Sequence, residues 1–282
     1  METLKILLVT MLPLLAGACR LNGGQPAYDT PAPEPEPVVK QDTTYFICNL
    51  DFRAPFPVLW TDILVYRSDG LTDLAAYLRS DGPAAKLCLT DSLPKNIAVV
   101  ANARGRFNLQ GLQHFDSLGG IVVRLADEDP DAPIMSGIFS IRPGRDTTLA
   151  LTPLLCTVEL ISVSNCYDGD RLAENPRVRL ENVNAEAELF REQGFAVREI
   201  TSGKTVFLPY DIGLYTQYPH LRLHCYPNDL PNPGAGNPAT ELILECEIEG
   251  VTRSQRYALH PLMRGETIQL EAEIRPYGEG LP

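Results

Sequence analysis

"ETIQLEAEIRP", residues 266–276, places Ile268, Leu270, Ala272 and Ile274 at every second position, with Glu271, Glu273 and Arg275 between them. A period of two belongs to a β-strand with one face in a core and the other in water. Working back along the chain, "SQRYALHPL", "TELILECEIEG", "HLRLHCYPN", "KTVFLPYD" and "NPRVRLENVNA" show the same short, β-branched or alternating runs. So do "TTLALTPLLCTVELISVSN", "GIFSIRPG", "GGIVVRLAD", "NIAVVANA", "AKLCLTD", "WTDILVYRSDG" and "TTYFICNLDF" in the first half. Gly, Pro, Asn and Asp punctuate the runs, as turns between strands require. Many short strands at regular spacing define an all-β chain of antiparallel sandwiches.

The chain has 282 residues, 44% of them hydrophobic, enough for two ordinary domains with real cores. Pro153 interrupts the run in "GRDTTLALTPLL" (residues 144–155), and the boundary between two tandem β-sandwich domains is placed there, giving 41–150 and 151–282. Two segments carry helical spacing instead. "LTDLAAYLRS" aligns Leu71, Leu74, Ala75 and Leu78 on one face, and "AEAELFREQG" offers a turn or two ending at Gly194.

The first residues point to export. Lys5 precedes a short apolar run, Ile6 to Leu15, followed by Ala16-Gly17-Ala18-Cys19. A membrane span needs about 20 apolar residues, so the run suits a signal peptide over residues 1–18. The sequence around the cut resembles a bacterial lipoprotein signal, in which Cys19 carries a diacylglycerol and becomes the first mature residue. An ordinary signal peptide cut after Ala18 is the alternative. From residue 19 to 40, proline alternates with acidic residues in "PAPEPEP", the composition of an extended spacer.

The formal net charge of −12 argues against a nucleic-acid partner, which demands an electropositive face. Six cysteines follow Cys19. Cys48, Cys88, Cys156 and Cys246 sit in strand-like apolar runs, where a thiol serves as a small buried hydrophobe. Cys225 and Cys246, on adjacent predicted strands, form a candidate disulfide.

Residues suited to chemistry do not assemble in any recognisable spacing. His220 and His224 are four apart, but on a strand that spacing separates them by about 13 Å, too far for one ion. "DEDPDAP" (residues 127–133) lacks the glycine and terminal acid of an EF-hand loop and reads as an acidic turn. His114 and His260 have no evident partners. No nucleophile elbow, phosphate loop or zinc-helix motif is present, so neither an enzyme nor a cofactor or metal is expected.

Several segments taken in order, "LPKNIAVVANA", "APIMSGIFSI", "LTPLLCTVELISVSN", "RLENVNAEAELF" and "QRYALHPLMRGETIQLEAEI", resemble the fimbrillin-like proteins, subunits of type V pili. The resemblance extends from about Tyr45 to Pro276. It implies two transthyretin-like sandwiches, lipoprotein export to the outer membrane and cell surface, and other pilus subunits as partners. It also implies an arginine-specific protease that removes the first strand, leaving a groove for a neighbour's strand. In this chain Arg53-Ala54 follows the predicted first strand "TTYFICNLDF" and is the expected processing bond. The chain departs from the pattern at its C-terminus, where only "PYGEGLP" follows the last strand. Either "ETIQLEAEIRP" is itself donated, or the subunit only accepts a strand, or it remains uncut as a lipid-anchored base. A surface carbohydrate-binding lipoprotein is the other reading. Trp60 falls in a strand-like run that suits burial, so Tyr215 and Tyr218 are the aromatic residues that reading would use.

Overall fold

The computed structural model describes residues 45–276 apart from 70, 71, 106 and 196. The proposed signal peptide, Cys19 and the spacer lie outside the described residues.

The chain is all-β, and its strands repeat one plan twice. In the first half, β1 (Phe46–Arg53) lies between β4 (Ala84–Leu89) and β8 (Thr147–Ala150). Against this sheet packs another in the order β3 (Leu74–Asp81), β2 (Trp60–Arg67), β5 (Lys95–Ala101), β7 (Met135–Ile141) and the two-residue β9 (Thr152–Pro153). In the second half, β10 (Cys156–Asn165) lies between β16 (Leu221–Cys225) and β19 (Thr267–Ile274). Its facing sheet runs β15 (Val206–Phe207), β11 (Glu174–Glu181), β17 (Glu241–Ile248), β18 (Val251–Ala258). In both halves the first strand pairs antiparallel on one side and parallel, with the half's last long strand, on the other. The expected sandwiches are therefore mainly, not wholly, antiparallel.

Alternation builds each core. β1 points Cys48, Leu50 and Phe52 inward, where they meet Ile63 and Val65 of β2 and Ile97 and Val99 of β5. In the second half Val158, Leu160, Val178, Leu180, Leu242 and Leu244 fill the space between the sheets, with Ile268, Ala272 and Ile274 of β19. β2 is buried on both faces because residues 107–121 fold over its outer side. There Leu64 and Tyr66 pack with Leu112 and Leu118, and the Tyr66 ring meets Phe115 edge-on at 5.4 Å.

Both helical expectations are corrected. Leu74 to Ser80 belong to β3, paired antiparallel with β2. Tyr66 faces Leu74 while Val65 faces Ala76, so Ala75 is an extra, bulged residue. Beyond it the strand resumes strict alternation, with Ala76 and Leu78 turned to the sandwich core and Tyr77 to the outer cluster. One inserted residue in a period-two pattern imitates the i, i+3, i+4 spacing of a helix. In the second segment, Glu186–Glu188 form β13 and pair with β6 (Val122–Arg124). β6 comes from the first half, so β13 is a strand because a distant edge needs a partner. A small ladder of β12 (Val183–Asn184) and β14 (Ile200–Thr201) flanks it. The described helices are four short 3-10 turns, at Leu109–Leu112, Phe115–Gly120, Leu125–Asp127 and Pro233–Ala235.

Candidate functional site

The resemblance to fimbrillin-like proteins implies removal of the first strand, and the surroundings of that strand define what its removal would do. β1 is central to its sheet. Its hydrogen-bonding edges face β4 from Phe46 to Asp51 and β8 from Leu50 to Arg53. Cys48 is fully buried, Leu50 is 1% exposed and Phe52 4% exposed. Burying apolar side chains of this size stabilises by about 1.5–3 kcal/mol each, so an empty β1 slot would cost several kcal/mol besides two unpaired strand edges.

Arg53 is the last residue of β1 rather than the first beyond it. Its side chain is exposed, while its carbonyl accepts a hydrogen bond from Leu151 N at 2.8 Å. Ala54, Phe56 and Val58 leave the strand along the rim of the same core. β10 is the topological counterpart of β1 in the second half. It is continuous with the first half through Leu154 and Leu155, both buried. β19 is built into its own sandwich, paired with β10 from Thr267 to Ile274 through one register shift.

The other candidate groups are scattered. His220 precedes β16 with a left-handed backbone, φ 46°, whereas His224 lies within the strand and touches Thr157 Oγ1 through Nδ1 at 3.3 Å. Burial lowers the His224 pKa, and the Arg222 guanidinium adds to the effect. His114 does have a partner, Asp73 at 2.8 Å, and His260 faces Glu266 at 3.7 Å. The 127–133 segment is a turn whose acids serve the backbone. Asp129 Oδ1 accepts from Asp131 N at 3.1 Å and Glu128 Oε2 from Ile134 N at 2.9 Å. Glu128 also accepts from the Tyr226 hydroxyl at 3.0 Å. Burial outweighs these hydrogen bonds and pushes the Glu128 carboxyl up to about 7. Among the described residues, no three His, Cys, Asp or Glu side chains converge as metal ligands.

All six described cysteines are free thiols. The candidate Cys225–Cys246 disulfide is not formed: both are free thiols, Cys225 on β16 and Cys246 on β17 of the facing sheet. Cys225 instead faces Cys156 across the β10–β16 pair. Cys88 and Cys166 are exposed, contrary to the expectation of a buried Cys88: on β4 it is Leu87 and Leu89 that point inward. Trp60 is only half-buried. Its Nε1 donates to Ala103 O at 2.9 Å and the Arg79 guanidinium lies 5.5 Å over its ring. Tyr215 and Tyr218 both stand at the surface.

The fold defines a class of protein built from two tandem β-sandwiches in which the first strand of each is central and runs parallel to that half's last long strand. The solved structures on which the chain superposes include fimbrial and adhesion proteins. The chain superposes on a candidate cell adhesion protein of Parabacteroides distasonis with a TM-score of 0.63, at 12% identity over 81% of this chain and 88% of the other. It superposes on the fimbrilin FimA of Porphyromonas gingivalis with a TM-score of 0.54, at 12% identity over 72% of this chain and 71% of that one. The C-terminally truncated tip fimbrial protein Mfa3 of the same organism gives 0.52, at 14% identity over 77% and 83%. The sequence matches no protein-family model and no curated protein. At these identities the likeness is one of fold.

Proposed function

We propose that this chain is a structural or adhesive subunit of a cell-surface pilus, exported as a lipoprotein through Cys19 and assembled with other pilus subunits by strand exchange. In this reading residues 1–18 are the removed signal and 19–40 the spacer, while the sandwiches occupy 41–150 and 151–282. An arginine-specific protease cuts Arg53-Ala54 and releases β1. The observation that carries the proposal is that β1 is a central strand with three inward side chains, and that Arg53 ends it. Cutting there severs the strand from the sandwich that holds it. Once vacated, the slot offers backbone groups from β4 and β8 and alternate apolar pockets, the two features that recognise an added strand. Its similarity in fold to FimA and Mfa3 supports the same reading.

A second reading keeps the lipid and the strand: an uncut subunit that seats the pilus in the outer membrane. In this reading β1 keeps its place between β4 and β8, and β19 its pairing with β10. Intact mass and N-terminal sequencing of the protein from its native envelope separate the two, with and without an inhibitor of arginine-specific proteases. A mature chain beginning at Ala54 only in the absence of inhibitor is the expected result for strand exchange. A chain beginning at acylated Cys19 in both samples rules it out and leaves the anchor.

A further inference from the structure

From the end of β15 to the start of β16 the chain exposes large hydrophobic side chains at a density found nowhere else among the described residues. Phe207, Tyr210, Leu214, Tyr215 and Tyr218 are 64%, 72%, 61%, 68% and 67% exposed. A mobile loop would explain such exposure trivially, but this one is pinned. Ile212 is fully buried and exchanges backbone hydrogen bonds with Ala173 at 2.9 and 3.0 Å. Gln217 does the same with Val163, at 2.9 Å in both directions. Asn165 Nδ2 donates to Ile212 O at 3.0 Å, and Gln217 Nε2 to Asp211 O at 2.7 Å. The Tyr215 ring passes beside Gly213, 3.5 Å from where a β-carbon would stand, and Leu172 lies 3.9 Å from the same point. Leu172, Gly213 and Tyr215 thus form an apolar strip on a fixed backbone.

We propose that this loop is a binding surface for a neutral polysaccharide. Aromatic rings pack against the apolar C–H faces of sugar rings while tyrosine hydroxyls stay available for hydrogen bonds. Because the loop is already ordered, little conformational entropy is lost when a ligand settles on it. Charge selects among occupants. Asp170 and Glu174 are exposed on the strip's neighbouring segment and Asp211 in the loop itself, while Arg171 between the first two is paired with Glu249 at 3.2 Å, and the whole chain carries a formal −12. That field disfavours an anionic polymer or a second copy of this acidic chain. The exposed carboxylates beside the strip can accept hydrogen bonds from sugar hydroxyls. The proposal names a ligand for the adhesive reading but does not depend on whether Arg53-Ala54 is cut, which the N-terminal measurement decides separately.

The test uses the full chain and affinity electrophoresis through immobilised amylose, β-glucan, mannan and galactan, with polygalacturonate as the anionic control. Retardation by at least one neutral polymer and none by polygalacturonate is expected. The Tyr215→Ala/Tyr218→Ala variant should bind that polymer about tenfold more weakly, the equivalent of two lost ring contacts, while Tyr215→Phe/Tyr218→Phe retains most of the binding. Both positions are exposed, so unchanged melting curves will show that the variants fold. No retardation by any neutral polymer, or equal retardation of the alanine variant, overturns the proposal. So does concentration-dependent self-association that the alanine variant abolishes, since the surface would then belong to a second copy.

Discussion

Arg264 Nη2 lies 2.7 Å from Ser136 Oγ, joining the segment between β18 and β19 to strand β7 of the other sandwich. The same guanidinium donates to the carbonyls of Thr152, Leu189 and Arg191 at 3.0 to 3.2 Å. Its side chain is 3% exposed and its one acidic neighbour, Glu192, is 68% exposed at 3.4 Å. The charge is therefore held by backbone carbonyls from both halves rather than by an ion pair, and burial lowers the Arg264 pKa.

Arg264→Leu leaves those carbonyls buried without a donor and should destabilise the protein by about 3 kcal/mol. Arg264→Lys should recover little of that, because an ammonium lacks the planar fork that reaches several carbonyls at once. Ser136→Ala should cost about 1–2 kcal/mol through the hydrogen bond its hydroxyl gives Leu189 O, 2.6 Å away. Urea titrations of the two single variants and the double would show a coupling of about 1 kcal/mol. Strict additivity would mean that the contact does not join the halves energetically.

Glu128 gives the protein a pH dependence of definite sign. Its carboxyl is raised from 4.5 to about 7 in the folded state, chiefly by burial. The unfolded chain therefore releases this proton first as pH rises. Glu128 supports folding fully below about pH 4.5, and its contribution fades by about pH 7, where the buried group ionises. The change is at most about 3 kcal/mol. Melting temperatures across that window should fall with rising pH in the wild type and fall less in Glu128→Gln, which keeps the shape without the charge. Parallel curves would locate the titration elsewhere.

The six described thiols should divide by burial. Under reducing conditions at pH 8, Cys88 and Cys166 should alkylate from the folded state, Cys166 slowly because burial and the Glu273 carboxylate push its thiol up. Cys48, Cys156, Cys225 and Cys246 should react slower by on the order of a hundredfold, since each waits for local opening. Cys246 is further held back by a pKa pushed up to about 11. Peptide mapping of a timed iodoacetamide reaction distinguishes the groups. Early labelling of Cys156 or Cys225 would mean that the β10–β16 pair opens readily.

What the sequence determined by itself was local periodicity. Alternation in β19, β11 and β1 is set by which side chains can leave water, and it was legible as far as one residue in two pointed inward. It also named the residues, Arg53 at the end of the first strand and Tyr215 and Tyr218 in a turn-rich segment, without showing what surrounds them. Tertiary structure decided the rest, because partners distant in the chain supply it. The bulge at Ala75 exists only against β2, and β13 is a strand only because β6 lies beside it. Cys225 meets Cys156 rather than Cys246 because strand order, not closeness in sequence, sets neighbours. The exposure of the tyrosines follows from Ile212 and Gln217 being tied to β10 and its flanking segment. Arg264 is buried because carbonyls from both halves converge on it, and no periodicity in a single strand encodes that convergence.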